Sequence, residues 1–424
     1  MSSYLPRVVD EEVDELLAGL PAIALEGPKA VGKTATALRR ANTVYRLEDS
    51  AERAVAEAGP DRLLTGSTPV LIDEWQRVPE SWDLIRRAVD EGAAPGQFLV
   101  TGSASGAGRS THSGAGRIVT LRMRPMSLVE RGLSAATVSL HGLLSGDRQP
   151  LEGETTVGLA EYANEVVRSG FPGMRSLSGR ALRAQLNGYV RRIVDRDFDE
   201  LGRQVRKPTV LMSWMAAYAA ASSTTASFES IRDAATSGQS DKPSKTTTIP
   251  YRDVLERLWI VDPVPAWLPR RTRIARLSSP PKHQLADPAL AAELLGVDVD
   301  ALLEQKQTDK PTPRDGPLLG ALFESLVTLD VRVYAQAAEA DVGHLRTWRG
   351  DREIDLIVQR RDGKVLAVEI KLTRVPRDED VRHLKWLRDE LGEQLLDAIV
   401  ITTGPTAYRR SDGIGVVPAA LLGP

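Results

Sequence analysis

The chain contains no cysteine. That removes disulfides, thiolate metal sites and cysteine nucleophiles together, and it fits a cytosolic protein. Histidine is scarce, and the 5 present among 424 residues do not cluster as a metal-ligand set. No apolar run approaches the roughly 18 residues of a membrane span. The N-terminus, Met1-Ser2-Ser3-Tyr4-Leu5-Pro6-Arg7, lacks the apolar core of a signal peptide. A cytoplasmic location with no membrane partner is therefore expected. Charge of one sign is also lacking: the formal net charge is −2, which excludes a chain-wide affinity for nucleic acid and leaves only local patches for that role. What is present is a soluble globular composition, 42% hydrophobic and 26% charged. The length is too great for one ordinary core and implies two or three domains.

The segment Gly27-Pro28-Lys29-Ala30-Val31-Gly32-Lys33-Thr34 follows the apolar run Ala22-Ile23-Ala24-Leu25 and leads into Ala35-Thr36-Ala37-Leu38. Strand, glycine-bounded loop and helix form the context of a phosphate-binding P-loop. Gly27 and Gly32 free the backbone to turn its N–H groups toward phosphate oxygens. Lys33 is expected to reach the β- and γ-phosphates and the Thr34 hydroxyl to ligate Mg²⁺. A second apolar run, Pro69-Val70-Leu71-Ile72, ends in Asp73-Glu74. At a strand tip beyond a P-loop, Asp73 suits magnesium and Glu74 suits the catalytic base that polarises water.

Trp82, Ile85 and Val89 recur at helical spacing within 79–91. Phe98-Leu99-Val100 then ends at Thr101-Gly102-Ser103, where Ser103 or Thr101 is placed to sense the γ-phosphate. The stretch from Gly106 to Gly116 reads as a loop. Arg117 precedes the alternating strand pattern 118–124 and is a candidate arginine acting on the γ-phosphate, within the chain or across a subunit contact. Ser127 and Glu130 have the spacing of a capping box for a following helix.

Alternating strands and helices with phosphate chemistry at the strand tips imply a doubly wound parallel sheet. The P-loop, Leu71-Ile72-Asp73-Glu74-Trp75-Gln76-Arg77, Leu99-Val100-Thr101-Gly102-Ser103, Gly116-Arg117-Ile118 and Pro125-Met126-Ser127 occur in this order. The chain thereby resembles the prokaryotic AAA-type ATPases that carry a C-terminal domain of unknown function. Lys29 departs from the arginine usual there. The resemblance implies ATP and Mg²⁺ as cofactors and leaves both ring-forming and monomeric states open. It also marks Phe171-Pro172-Gly173 as a conformational punctuation.

Residues 155–205 are helical and arginine-rich by pattern. Helices are expected at 210–221, 228–235 and 251–259, with a polar loop at 236–244. Ile260-Val261-Asp262-Pro263-Val264 reads as the start of a hairpin. Three short helices and a hairpin resemble a winged helix-turn-helix. Arg270, Arg271, Arg273, Arg276 and Lys282 fall in an interval without acids between Asp262 and Asp287, which makes a basic wing a candidate for DNA phosphates.

Leu319, Leu322 and Leu326 lie on one stripe of a helix, with Glu324 facing elsewhere. Strand patterns at 344–348, 354–358 and 365–372, a tight turn at Arg361-Asp362-Gly363, a helix at 379–391 and the strand 398–401 complete an α-β-β-β-α-β order. Period-two alternation sets Glu369 and Lys371 on one face. Asp355 can join them from the neighbouring strand and Glu324 from the helix. Carboxylates so gathered suit Mg²⁺ or Mn²⁺, and a lysine beside them suits activation of water. This order resembles the PD-(D/E)XK nuclease family, with Asp355, Glu369 and Lys371 at its motif positions. Glu353 is either an extra ligand or an intruding charge.

The fold class expected is α/β: a P-loop NTPase parallel sheet in 1–135, a helical and winged-helix domain in 155–280, and a restriction-endonuclease-like α/β domain in 315–424. Two readings follow. One is an ATPase that binds DNA and cuts it with a metal. The other is an ATP-dependent switch or scaffold, with a protein partner, whose nuclease-like domain does not cut. A small-molecule kinase would not need the 300 residues beyond the P-loop domain.

Overall fold

The computed structural model describes residues 4–103, 115–148, 150–201, 203, 205, 207–236, 245–268, 280–303, 318–347 and 350–424. These form two compact units. One comprises Met1–Pro125, Phe171–Gly173 and Asp253–Ile260; the other comprises Met126–Gly170, Met174–Arg252 and Val261–Pro424.

The first unit contains helices α1 (Val9–Gly19), α2 (Lys33–Leu38), α3 (Ser50–Ala58) and α4 (Glu80–Asp90). Its strands are β1 (Ala22–Glu26), β2 (Thr43–Arg46), β3 (Val70–Asp73), β4 (Phe98–Gly102) and β5 (Val119–Arg122). They form one sheet in the order β2-β3-β4-β1-β5, every neighbouring pair parallel. β1, β3 and β4 are buried at every position. Their continuous apolar runs therefore reflect a sheet covered on both faces. Ile72, Phe98 and Val100 share a core with Ile85 and Leu63, against which Trp75 and Trp82 pack with ring centroids 4.6 Å apart. Trp82 and Ile85 of the expected stripe are buried, and Val89 is partly so.

The second unit contains α5 (Leu140–Ser145), α6 (Leu159–Val167), α7 (Gly179–Arg192), α8 (Phe198–Glu200), α9 (Pro208–Ala220), α10 (Phe228–Ala235), α12 (Pro288–Leu295), α13 (Val299–Leu303), α14 (Leu318–Ala337) and α15 (Arg382–Leu391). Helix α11 (Lys245–Arg257) starts earlier than the expected 251, because Pro250 lies inside it instead of opening it. Strands β7 (Asp341–Arg346), β8 (Glu353–Gln359), β9 (Val365–Ile370), β10 (Leu395–Thr402), β11 (Tyr408–Arg409) and β12 (Gly415–Pro418) build a mixed sheet in the order β11-β12-β10-β9-β8-β7. β7, β8 and β9 are successively antiparallel, and β10 runs parallel to β9. Separately, β6 (Val138–Ser139) pairs with β13 (Leu422–Gly423). The turn at 361–363 is closed by Arg360 N–H to Lys364 O at 2.9 Å, with Gly363 at φ 86°.

Three expectations change in this unit. The middle and C-terminal segments lie in one compact unit, because α12 packs on α6, α7, α9 and α14. Its Pro288, Ala289, Leu290, Ala291 and Ala292 are all buried, and small side chains let the surrounding helices approach. The Ser127–Glu130 contacts form, with Ser127 N–H on Glu130 Oε2 at 2.7 Å. Yet the chain there makes turns and no helix, since Gly132 takes φ 70° and reverses it. Among the described residues, the hairpin after α11 shows as antiparallel bridges Val261–Leu285 and Val264–Lys282. Its arginines 270, 271, 273 and 276 lie outside the described residues, as do most of the expected loops at 106–116 and 236–244.

Asp287 joins two of these helical layers. It is fully buried and caps α12 by accepting Ala289 N–H at 3.0 Å. Its second oxygen accepts Ser169 Oγ–H and Gly170 N–H, both at 2.7 Å. Asp287→Ala is expected to destabilise the second unit by about 3 kcal/mol, from the lost cap and the unsatisfied buried donors. Urea unfolding monitored by circular dichroism measures this, and a loss below about 1 kcal/mol contradicts the assigned role.

Candidate nucleotide site and acidic cluster

Parallel pairing brings the C-terminal ends of β1, β3, β4 and β5 to one edge of the first sheet, and the P-loop leaves β1 at that edge. Gly32 has φ 108°, a backbone region that favours glycine. At Gly27 a Cβ would lie 2.2 Å from Met123 O, so only glycine allows the loop to pass this close to the chain after β5. Lys33 opens α2 with its side chain buried, and its Nζ donates to Gly27 O and Pro28 O at 2.9 Å each. Of the rest of the loop, Pro28 and Val31 are buried, Ala30 is exposed at φ 65°, and Lys29 is half-buried.

Thr34 Oγ1 donates to Asp73 Oδ1 at 2.7 Å. Thr101 Oγ1 donates to the same carboxylate oxygen at 2.5 Å and accepts Glu74 N–H at 3.1 Å. Ser103 Oγ donates to Glu74 Oε1 at 2.7 Å, and Gln76 Nε2 to Glu74 Oε2 at 2.5 Å. Both hydroxyls weighed at the tip of β4 thus reach the acidic pair, one per carboxylate. The oxygen set of Thr34 and Asp73 fits a hard cation, and the inward loop beside a buried ammonium fits phosphate.

Arg117 is not brought to this edge. β5 runs parallel to β1 with Arg122 opposite Glu26, so Arg117 lies before the start of β5, at the far end of the sheet. There it pairs with Asp90, Nε to Oδ1 at 2.8 Å. A cis arginine acting on phosphate is excluded for it by the direction of the strand. Arg122, opposite Glu26, does stand at the phosphate edge, and its guanidinium lies 4.3 Å from the Trp259 ring centroid.

Two further residues escaped the sequence reading. Arg7 is buried and donates from Nη1 to Val31 O at 2.8 Å and from Nη2 to Arg124 O at 2.6 Å, tying the P-loop to the chain after β5. Glu26 is a buried carboxyl immediately before Gly27. Burial raises its pKa to about 7 while Lys33 and Arg122 pull it down. Burial likewise lowers Lys33 to about 8 against the attraction of Glu74, Asp73 and Glu26. Pro172 lies against the loop, 3.7 Å from where a Gly32 Cβ would stand.

In the second unit the expected acidic residues do converge. Asp355 Oδ2 accepts Ile370 N–H at 2.9 Å across the β8–β9 ladder. Lys371 Nζ pairs with Glu369 Oε1 at 2.6 Å. The carboxyl of Glu324 reaches in from α14. Between them stands Lys282, which is 1% exposed and so not on a basic wing. Its Nζ lies 2.8 Å from Glu324 Oε1, 3.0 Å from Asp355 Oδ1 and 3.4 Å from Glu353 Oε1. The arginine-rich, acid-free interval around it gave no signal that this lysine turns inward.

Burial raises Glu324 and Glu369 to about 8, Asp355 adding to the rise at both. Burial also opposes ionisation of Asp355, but Lys282 and Lys371 outweigh it and hold this carboxyl below its usual range. Burial works against the Lys282 ammonium too, and Asp355, Glu324 and Glu353 hold it protonated well above the ordinary lysine value. Among the described residues no group of three or more His, Cys, Asp or Glu is arranged to hold a metal ion. As arranged, the donor set expected for Mg²⁺ or Mn²⁺ is engaged by two ammonium groups.

Residues 20–131 match a family described as AAA domain. Residues 159–301 and 319–422 match two families described as domains of unknown function, DUF8612 and DUF4143. The chain is 28% identical over 407 residues to the uncharacterized protein Mb2031c of Mycobacterium bovis, covering 94% of this chain and 80% of that protein. The uncharacterized protein Rv2008c of Mycobacterium tuberculosis matches with the same figures, 28% identity over 407 residues. Among solved structures, the Walker-type ATPase PABY2304 of Pyrococcus abyssi is similar at 15% identity and a TM-score of 0.37, over 67% of this chain and 94% of that one. No helix of the described residues is long and apolar enough to cross a membrane. The match over residues 20–131, on a parallel sheet with the P-loop at its edge, supports a P-loop ATPase of the AAA type.

Proposed function

We propose that the chain binds and hydrolyses ATP with Mg²⁺ at the Gly27–Thr34 loop, and that its nuclease-like fold serves an ATP-dependent switch or scaffold without cutting DNA. The observation that carries the first part is the meeting of Thr34, Asp73 and Thr101 on one carboxylate oxygen, with Ser103 on Glu74 beside it. Thr34 and Asp73 would hold Mg²⁺, which when bound screens phosphate charge. Lys33 exchanges its loop carbonyls for phosphate oxygens. Glu74 takes the proton of the attacking water, with Ser103 and Gln76 fixing its carboxylate. Thr101 holds Asp73 in place.

Pairing of the acidic cluster with Lys282 and Lys371 supports the non-cutting reading of the second unit. DNA contact is proposed for Arg270, Arg271, Arg273 and Arg276 on composition alone.

Glu74→Gln is expected to bind ATP while turnover falls at least about a hundredfold, the usual scale for losing a general base. Lys33→Ala is expected to abolish turnover and leave the second unit folded. Phosphate release and circular dichroism measure both, and full turnover in Lys33→Ala overturns the assignment.

The nucleotide edge also carries a pH signature. An unfolded glutamate titrates near ~4.3, and Glu26 is raised to about 7 when folded. A carboxyl raised on folding contributes fully below its unfolded pKa, and that contribution is lost as pH rises through the folded value. Glu26 should therefore cost on the order of 3 kcal/mol at pH 8 and almost nothing near pH 4. Glu26→Gln is expected to raise the urea midpoint of the nucleotide-free protein at pH 8, the gain shrinking toward pH 4. A gain that does not change with pH contradicts the burial of an ionising carboxyl.

A further inference from the structure

The carboxyls of the acidic cluster come from α14, β8 and β9, all within the α-β-β-β-α-β frame. Lys282 does not. It belongs to the bridged stretches 261–268 and 280–285 that precede this frame, and both its backbone groups bond to Val264 at 2.9 Å. Neighbouring contacts fix the same stretches on β7: Trp267 N–H donates to His344 O at 2.7 Å, and the His344 Nε2 lies 3.1 Å from Pro280 O. The lysine is thus held rigidly from outside and reaches in with its ammonium.

An ammonium has three donors, and this one faces three carboxyls, Glu324, Asp355 and Glu353, at 2.8, 3.0 and 3.4 Å. A buried ammonium is retained only where opposite charge offsets its lost hydration. Buried carboxyls so close together need a cation for the same reason. We propose that Lys282 is that cation: a side chain of the preceding segment stands where the nuclease-like frame would hold its divalent ion, and it closes the cluster to metal. A divalent ion bound by Glu324 and Asp355 would lie a few ångströms from the ammonium, and the two cannot share the cluster. Glu369, the remaining carboxylate of the motif, is held by Lys371. Lys282 acquires this role only if these strands carry the nuclease-like cluster proposed above.

The test is Mn²⁺ binding to the full chain without nucleotide, in an Asp73→Asn background that disables the other metal position, read by electron paramagnetic resonance. Lys282→Met is expected to bind Mn²⁺ at least about a hundredfold more tightly than the parent, on the scale of relieved repulsion between an ammonium and a divalent ion a few ångströms away. Adding Asp355→Asn should abolish the gain. Two outcomes overturn the proposal: a parent protein that binds Mn²⁺ in an Asp355-dependent manner, or a folded Lys282→Met that binds no more than the parent.

If Lys282→Met does not fold, the parent still decides. Mn²⁺ broadening of resonances around Asp355 counts against the proposal. Absence of broadening, with a Lys282 ammonium signal that stays protonated and slow to exchange at pH 10, supports it. Incubation of the parent with linear and branched DNA in Mg²⁺ or Mn²⁺ tests the other reading separately. Cleavage lost in Asp355→Asn would defeat the non-cutting function, whereas metal binding without cleavage would defeat only the role of Lys282.

Discussion

Parallel pairing of β1 with β4 on one side and β5 on the other is the constraint on which the first unit depends. It sets every strand's carboxyl end at one edge, so residues far apart in sequence meet around the loop after β1. Thr34 finds Asp73 and Asp73 finds Thr101 for this reason. The same direction rule admits Arg122 to the edge and removes Arg117 to the far end. Open parallel sheets bind ligands at such carboxyl edges because helix N-termini and loop N–H groups converge there.

The edge is also electrically strained by its own burial. Lys33 and Glu26 are both almost fully buried, and desolvation draws their pKa values to about 8 and about 7. A polyanionic nucleotide would supply the charge that the buried ammonium lacks. Arg7 acts by geometry instead. It binds one carbonyl within the loop and one after β5, so the cradle is clamped from its N-terminal side.

In the second unit, several buried charges are organised in paired sets. Glu165 receives Arg175 at 2.8 Å and Arg131 at 3.2 Å, Asp287 receives three donors, and Lys282 is surrounded by carboxyls. Removing one partner of such a set is expensive because the remaining charge stays in a medium of low polarity. Such sets therefore fix the register of the elements that carry them. The hairpin segment is seated beside β7 and β8 in this way, as α12 is seated by Asp287.

The sequence alone determined what depends on local pattern. The P-loop, Asp73-Glu74, the hydroxyls at 101 and 103, and the α-β-β-β-α-β order were all legible, because glycine placement, strand runs and period-two alternation are properties of neighbouring residues. The convergence of Glu324, Asp355 and Glu369 was legible as well, since adjacent antiparallel strands leave little freedom of register. Tertiary structure alone decided the direction in which Arg117 faces, the halted helix after Ser127, the union of the middle and C-terminal segments, and the inward turn of Lys282. Each of these depends on which distant element supplies a partner. A lysine among arginines looks like solvent-facing charge until folding brings carboxyls from residues 324 and 355 to within 3.0 Å of it.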